Sequence, residues 1–377
     1  MSERHLHIVS FDVPYPPNYG GVIDVFYKIR ELHHKGIKLH LHIIEYPGRK
    51  RAPELESLCE EIFYYPRVTG LISAFSIVPY IVKSRRSEEM MHNLLKDDYP
   101  ILFEGLHSCY YMNDHRLKGR LLVYRESNIE HQYYFNLFKA EHRLGKKAYF
   151  LIESLKLLLF QRILNHAGAM LVVSKEDTEY LQKHFPGKSV HFLPSFHANN
   201  QITIAEGSGD YALYHGNIEV PENEAAAAYL ISKVFAGSPL RLIIAGMNPP
   251  QRIIQMAASQ PNIEIIANPD DESLFSLIRN AHVNILVTFQ ATGLKLKLLN
   301  TLYNGRHCLV NPPMLNGTGL DELCCIASEA HGLRSALEKL QHQPFSHQDA
   351  ENRLEILSQN FSNSRNADKL IKIIFGS

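Results

Sequence analysis

The chain of 377 residues is too long for one hydrophobic core and predicts two domains of about 150 to 200 residues each. It is 45% hydrophobic and 21% charged, as an ordinary folded protein is, and its 39 basic residues balance its 39 acidic ones, so no bulk charge attracts nucleic acid. The five cysteines form no CxxC motif, which argues against a disulfide scaffold or a zinc site and favours a reducing cytosol.

In the first half, short apolar runs alternate with segments of helical periodicity, which indicates repeated βα units on a parallel sheet. Helices are clearest at 22–34, at 128–167 in one or two pieces, and at 175–184. The predicted strands are 5–11, 38–46, 61–65, 101–104, 120–124 and 169–173.

A polar, glycine-containing stretch at 196–209 precedes a second series of the same kind, so we predict a domain boundary there. The predicted strands of this half are 211–215, 241–245, 263–267, 283–287, 307–311 and 323–327. The predicted helices are 223–234, 251–259, 272–280, 294–304 and 328–340, with two more in the tail at 346–374. The fold class is therefore α/β, with two Rossmann-like doubly wound domains facing a central cleft, where the carboxyl ends of the strands hold ligands.

Three loops of the first half carry candidate binding groups. Gly20 and Gly21 precede a helix, where backbone N–H groups can approach an anion or a sugar hydroxyl, although a tight turn would use the same glycines. The loops after the predicted strands 101–104 and 120–124 hold ionisable and polar side chains that a rigid sheet would position. These are Glu104, His107, Arg125, Asn128 and Glu130. The alternatives are a hydrogen-bonded structural histidine, an N-cap at Asn128 and surface residues in a first helical turn.

The second half contributes a backbone-rich turn at Gly216 and two lysines near a helix start, Lys295 and Lys297. The helix dipole disfavours cations at that end unless an anion lies in front of them, so the lysines suggest a phosphate site. The alternative is that their ammonium groups extend to solvent over an apolar helix. The 21 histidines are scattered, and His40 with His42 form only a pair, so no metal is expected.

These residues resemble the GT-B glycosyltransferases and, within them, the retaining group called family 4, over nearly the whole chain. Arg125-Glu-Ser-Asn-Ile-Glu130 is similar to an Arg-x-His-Asn-x-Glu segment of the group. The helix from Gly293 through Lys297 to Gly305 is similar to its Gly-x-x-x-Lys signature. Thr292 and Asn300 stand where the group has two glutamates, so both carboxylates are missing.

The resemblance implies a metal-independent hexosyltransferase without a cofactor, whose co-substrate is a nucleotide-sugar and whose acceptor is a glycan or a lipid-linked molecule, as in surface polysaccharide synthesis. His107 and Lys297 are implied as catalytic residues. The implied donor and phosphate contacts are Gly20, Gly21, Gly216, Thr292, Lys295, Lys297 and Asn300. It also implies domains at 1–195 for the acceptor and 196–355 for the donor, with a last helix in 356–377 that returns to the first domain.

Two other functions remain open at this stage. The missing carboxylates favour a non-catalytic nucleotide- or sugar-binding relative, whereas the retained lysines oppose it. A nucleotide-sugar 2-epimerase shares the architecture but needs carboxylates to move protons, and few are predicted near the site.

The sequence shows no export signal and no apolar stretch of the roughly 18 residues that a membrane span needs, so a cytoplasmic location is expected. Residues 70–86 combine an apolar run with basic groups. This segment predicts a peripheral contact with the inner face of a membrane, with a packed core or lid segment as the alternative.

Overall fold

The computed structural model describes residues 3–46, 48–70, 76–141, 143–289 and 296–376. The chain divides into two compact units. The first, which we call the N-terminal domain, comprises Met1–His197 and Asn363–Ser377, and the second, the C-terminal domain, comprises Ala198–Ser362.

In the described part of the N-terminal domain, seven strands form a parallel sheet in the order β3-β2-β1-β4-β5-β6-β7. The strands are β1 His5–Ser10, β2 Lys38–Glu45, β3 Glu61–Pro66, β4 Ile101–Glu104, β5 Leu122–Arg125, β6 Ala169–Val172 and β7 Ser189–Phe192. Strands β4, β5 and β6 are buried at every residue, because a doubly wound sheet is covered on both faces. The strand order reverses at the β1–β4 pair, the position beside which such sheets bind ligands.

Helices connect these strands. They are α1 Gly20–His34, α2 Tyr80–Lys83, α3 Glu88–Leu94, α4 Glu130–Ala140, α5 Leu144–Phe160 and α6 Lys175–His184. The predicted helix at 128–167 is thus two α-helices, followed by a 3₁₀ turn at Gln161–His166.

The C-terminal domain repeats the plan, with a described parallel sheet in the order β10-β9-β8-β11-β12-β13. Its strands are β8 Ala212–Asn217, β9 Leu242–Met247, β10 Ile263–Ala267, β11 Val283–Leu286, β12 His307–Val310 and β13 Cys325–Ile326. The order reverses at the β8–β11 pair. The prediction of two Rossmann-like α/β domains is confirmed.

The helices of this domain are α7 Pro221–Tyr229, α8 Gln251–Ala258, α9 Asp271–Asn280, α10 Leu296–Asn304, α11 Pro312–Leu315, α12 Ala330–Leu340 and α13 His347–Asn360. A π-helical turn at Leu230–Val234 continues α7. No helix in the described ranges has both the length and the apolar character needed to cross a bilayer.

The last helix, α14 Asn363–Phe375, packs in the N-terminal domain. Its apolar side chains Ala367 and Leu370 lie in the same core cluster as Leu6 and Ile29. Hydrophobic burial therefore fixes the end of the chain on the first domain.

Several short elements differ from the predictions. Strand β7 was not predicted because it is a partly exposed edge strand that pairs only with β6 among the described strands. Strand β13 is shorter than the predicted 323–327. The short helices α2, α3 and α11 were also missed, because helices of this length are marginal alone and depend on tertiary packing.

Buried histidines link strands β1 and β2. His7 Nδ1 lies 2.8 Å from His42 Nε2, and His7 Nε2 lies 2.9 Å from an oxygen of Asp97. His42 Nδ1 in turn lies 2.8 Å from the Tyr65 hydroxyl. Burial, against the attraction of Asp97, lowers the pKa of His7 to about 4.

The low pKa of His7 predicts acid sensitivity. Because the folded pKa lies below the unfolded value of about 6.5, stability is complete above that pH and falls as the pH decreases toward 4. As the pH falls from about 7 to about 5, the shifted pKa of His7 lowers the free energy of unfolding by about 2 kcal/mol. Urea unfolding at both pH values should show a smaller acid loss in His7→Gln than in the parent. His33→Gln, which changes an exposed histidine, should keep the parental slope, and equal slopes in His7→Gln and the parent would refute the assignment.

Candidate functional site

A buried ionic network lies at the carboxyl ends of β4 and β5. Lys28 of α1 donates to Glu104 at 2.7 Å and to Asp24 at 2.9 Å. Arg125, the register partner of Glu104, donates to both oxygens of Asp24 at 2.9 and 3.1 Å. Burial alone would raise the pKa of Asp24, but Arg125 and Lys28 outweigh burial and lower it. The network therefore consists of two cations and two carboxylates that neutralise each other.

The same network also binds the backbone at 193–196, which follows the last strand of this domain. Arg125 donates to the carbonyls of Leu193 and Pro194, and the Phe196 N–H donates to Asp24 at 2.7 Å. Glu104 and Arg125, both predicted as site candidates, thus have structural partners in this domain. Both carboxylates of the network already accept hydrogen bonds from Lys28 or Arg125, whereas a 2-epimerase requires carboxylates that move protons.

Removal of one cation should destabilise the protein strongly. Lys28→Met leaves Glu104 buried without its partner, and breaking such a pair costs about 3 to 5 kcal/mol in the free energy of unfolding, measurable by urea titration. Lys35→Met removes a surface pair with Asp368 and should cost about 1 kcal/mol or less. Similar losses in the two variants would contradict a stabilising role for the network.

His107 follows β4 in a 3₁₀ helix, Leu106–Tyr111, whose N-cap residue is Gly105. Gly105 has a φ of 71°, and a Cβ at that position would lie 2.5 Å from His107 Nδ1, so only glycine allows the imidazole to fold back over the loop. His107 Nε2 lies 3.5 Å from an oxygen of Glu130, the first residue of α4. The structure therefore brings together two residues that the sequence predicted separately.

Phe11 connects this pair to the predicted glycine loop. Its ring lies 5.2 Å from that of His107, between centroids. A Cβ on Gly21 would lie 2.6 Å from the Phe11 ring, so glycine is needed where α1 starts. Gly20 is the first residue of α1, whose N-cap residue, Tyr19, makes no side-chain cap.

The His107–Glu130 pair has unusual protonation chemistry. Burial raises the pKa of Glu130 to about 8 and lowers that of His107 well below its usual value. Within the described ranges, His107 Nδ1 and Glu130 Oε1 are buried and lack a hydrogen-bond partner. At neutral pH the pair is expected to be a neutral imidazole beside a protonated carboxyl group, and both can exchange hydrogen bonds with a bound hydroxyl.

Asn128 lies half-buried between β5 and α4. The N-cap residue of α4 is Ile129, so Asn128 does not cap this helix. The prediction that it contributes to a site remains a prediction.

In the C-terminal domain, Lys297 and Gly216 lie close to one side chain, Asn223. Lys297 Nζ donates to Asn223 Oδ1 at 2.9 Å and lies 5.5 Å from the centre of the Tyr214 ring. Gly216 has a φ of 154°, and its Cβ position would lie 3.4 Å from Asn223 Nδ2. The amide of Asn223 also donates to the Asn217 carbonyl, which fixes its orientation. Lys297 and the Gly216 turn thus meet at the carboxyl end of β8.

Asn300, one turn further along α10, belongs to an amide cluster. Asn199 Nδ2 donates to Asn300 Oδ1 at 2.9 Å, and Asn304 donates to Asn199 at 2.8 Å. Thr203 donates to Asn304 at 2.6 Å. The amide oxygen of Asn300 therefore already has a donor within the domain.

Three residues of the predicted signature, Thr292, Gly293 and Lys295, lie outside the described residues. Among the residues that are described, no group of three or more His, Cys, Asp or Glu side chains is arranged to hold a metal ion.

Sequence reasoning missed four residues that organise these sites: Phe11, Asp24, Lys28 and Asn223. The i, i+4 spacing of Asp24 and Lys28 in α1 was a usable signal for a pair, but not for its burial. Phe11 and Asn223 carried no local signal, since their partners are remote in sequence.

Comparison with known proteins adds one relative in sequence. An "Uncharacterized 44.6 kDa protein in cps region" of Klebsiella pneumoniae is 26% identical over 336 residues, covering 83% of this chain and 84% of that protein. No family model matches the chain.

Solved structures match over almost the full length. UGT71G1 of Medicago truncatula, complexed with UDP-glucose, has a TM-score of 0.59 at 10% identity and covers 99% of this chain and 98% of its own. The UDP-forming alpha,alpha-trehalose-phosphate synthase of Burkholderia xenovorans, in complex with glucose-6-phosphate, has a TM-score of 0.62 at 10% identity, with 98% and 99% covered. A UDP-glucosyltransferase from Polygonum tinctorium, capable of glucosylating indoxyl, has a TM-score of 0.56 at 12% identity, with 98% of each chain covered. The chain therefore has the fold of these proteins, and the predicted GT-B fold is confirmed.

Proposed function

We propose that the chain is a glycosyltransferase that moves a sugar from a UDP-sugar to an acceptor hydroxyl. The observation that carries this proposal is the grouping of Lys297, Asn223 and the Gly216 turn at the reversal point of the second sheet. A cation beside a glycine turn at this position suits a diphosphate, because backbone and ammonium donors can reach its oxygens together. Proteins of the same fold that have been solved with UDP or UDP-glucose support the choice of donor.

The donor is proposed to bind the C-terminal domain. Lys297 and Lys295 contact the diphosphate, Asn300 contacts the ribose, and Thr292 lies near the sugar. Lysines and backbone N–H groups neutralise the leaving diphosphate, so we propose that the transfer needs neither a metal nor a cofactor.

The N-terminal domain is proposed to handle the sugar and the acceptor. The N–H groups at Gly20 and Gly21 approach the substrate, and neutral His107 contacts a substrate hydroxyl. Glu130 is a positioning residue whose protonated carboxyl group donates to the imidazole of His107 and orients it, while burial keeps that imidazole neutral. Asn128 is proposed as a further polar contact.

We also propose transfer with retention, in which the acceptor attacks from the face that the diphosphate leaves, and positioning supplies most of the rate. The proposed acceptor is a glycan or a lipid-linked molecule, and the proposed role is surface polysaccharide synthesis. The similarity to a protein of a cps region supports this role.

A non-catalytic nucleotide-binding protein is the second candidate. The observation that favours it is that the amide oxygen of Asn300 already accepts a hydrogen bond from Asn199, at the position where the family 4 resemblance implies a carboxylate. Nucleotide binding without turnover of any UDP-sugar would select this alternative.

Lys297→Ala should weaken UDP binding roughly ten- to a hundredfold, because it removes one charge-assisted hydrogen bond. The measurement is the increase in melting temperature with UDP concentration, since a ligand that binds the folded state raises it by mass action. Lys339→Ala, on the exposed side of α12, is the matched control and should respond to UDP as the parent does. A Lys297→Ala variant that binds UDP as tightly as the parent would remove the proposed diphosphate site.

The pH profile of sugar transfer tests Glu130. Above pH about 8 the parent should lose kcat/KM, because Glu130 ionises and its carboxyl group can no longer donate a hydrogen bond to the neutral imidazole of His107. Glu130→Gln mimics the neutral carboxyl group and should keep its activity through this range. Glu126→Gln changes another buried carboxylate of the same loop and should retain the parental decline. A decline near pH 8 that persists in Glu130→Gln would show that another group is responsible.

A further inference from the structure

The outward face of α5 is apolar while its inward face contains polar groups. Six large apolar side chains of this helix are 38% to 83% exposed. They are Leu144, Tyr149, Ile152, Leu155, Leu158 and Leu159. In contrast, Glu153 is buried and accepts the Tyr80 N–H at 2.6 Å, and Ser154 is buried and donates to the His131 carbonyl at 2.7 Å. A helix that faces water has the opposite polarity.

The apolar surface extends beyond α5. In the paired helix α4, the rings of Phe135 and Phe138 stack with centroids 5.6 Å apart, and Phe135 is exposed. Ile77 is 90% exposed in the segment that leads to Tyr80, the residue bound by Glu153. Several large exposed apolar side chains on neighbouring elements indicate an interaction surface.

The charges around this surface have one sign. Lys139 and Lys147 lie over the rings of Phe135 and Phe138, at 4.7 and 5.2 Å. Exposed basic residues near the helix ends are Arg143, Lys146 and Arg162. Of the three acidic residues in α4, α5 and the turn between them, Glu130 and Glu153 are buried and Glu141 is half-buried. The surface is therefore apolar in the centre and basic at the edge.

We propose that α4 and α5 form an interfacial surface that docks the N-terminal domain on an anionic phospholipid bilayer. Apolar side chains with lysines beside them match an acyl layer under anionic headgroups. A second copy of the chain would instead bring two basic surfaces together, and like charges oppose that contact. With 17 residues, α5 is about 25 Å long and would lie in the plane of the interface.

Of the described residues in the segment 70–86 that the sequence indicated, this surface includes Ile77. Residues 71–75 lie outside the described residues, and within 76–86 the apolar side chains Ile81 and Val82 are buried in the core. Ile81 and Val82 therefore fit the alternative of a packed core segment. Most of the exposed apolar surface is on α5. The proposal rests on the residues of one domain and does not depend on the transfer reaction. A lipid-linked acceptor would be a reason for the protein to bind a membrane.

Vesicle flotation with the full chain tests the proposal. The parent should bind vesicles of phosphatidylcholine mixed with phosphatidylglycerol and not vesicles of phosphatidylcholine alone. Binding should fall when ionic strength rises from about 0.1 M to about 1 M, which shortens the Debye length from about 10 Å to about 3 Å. Ile152→Gln with Leu155→Gln and Leu159→Gln should abolish binding, and Arg143→Gln with Lys146→Gln should weaken it by on the order of tenfold.

The matched control replaces three exposed apolar residues of the C-terminal domain, Ile254, Ile326 and Leu354, by Gln, and should bind vesicles as the parent does. Stabilisation by UDP, measured on the α5 triple variant, should be unchanged, which separates this proposal from the proposed function. Failure of the parent to bind anionic vesicles, or binding that survives the triple substitution, would overturn the proposal. Light scattering that shows a parental dimer split by the triple substitution, without vesicle binding, would assign the surface to a second copy instead.

Discussion

The N-terminal domain depends on one buried interaction, the network of Asp24, Lys28, Glu104 and Arg125. Its members come from the start of α1 and from the ends of β4 and β5, and backbone at 193–196 closes it. Buried charges are tolerated only when each has a partner, so the network fixes how these elements meet. Gly21 lies in α1 itself, and His107 and Glu130 follow the ends of β4 and β5. The geometry of the candidate site is therefore a consequence of a charge-neutral core.

In the C-terminal domain, amide side chains hold the candidate site residues in place. Asn223 receives a hydrogen bond from Lys297, donates one to the backbone of β8 and lies against Gly216. A second group of amides, around Asn199 and Asn300, links α10 to the start of the domain. Neutral side chains can be buried at lower cost than charged ones, which suits a region where Lys297 is held beside a glycine turn.

Polarity explains why some features were predictable and others were not. Most strands of both sheets are short, largely apolar runs between segments of helical periodicity, so most were predicted to within a few residues, as was Lys175–His184. Edge strand β7 and helices α2 and α3 have no such pattern, because their stability comes from the surfaces they pack against. The apolar residues of α5 were visible in the sequence, but an amphipathic helix does not reveal which side faces the core. Only the contacts of Glu153 and Ser154 show that α5 is turned outward.

The sequence by itself determined the α/β class, the two-domain organisation and most of the loops in which the candidate residues lie, since periodicity and turn chemistry are local properties. The tertiary structure decided which of these residues have structural partners and which lie together. It placed Glu104 and Arg125 in a buried network and His107 beside Glu130, and it joined Lys297 to the Gly216 turn through Asn223. Those outcomes depend on contacts between residues far apart in the chain and on the burial that shifts their pKa values. Neither the long-range contacts nor the burial can be read from local sequence.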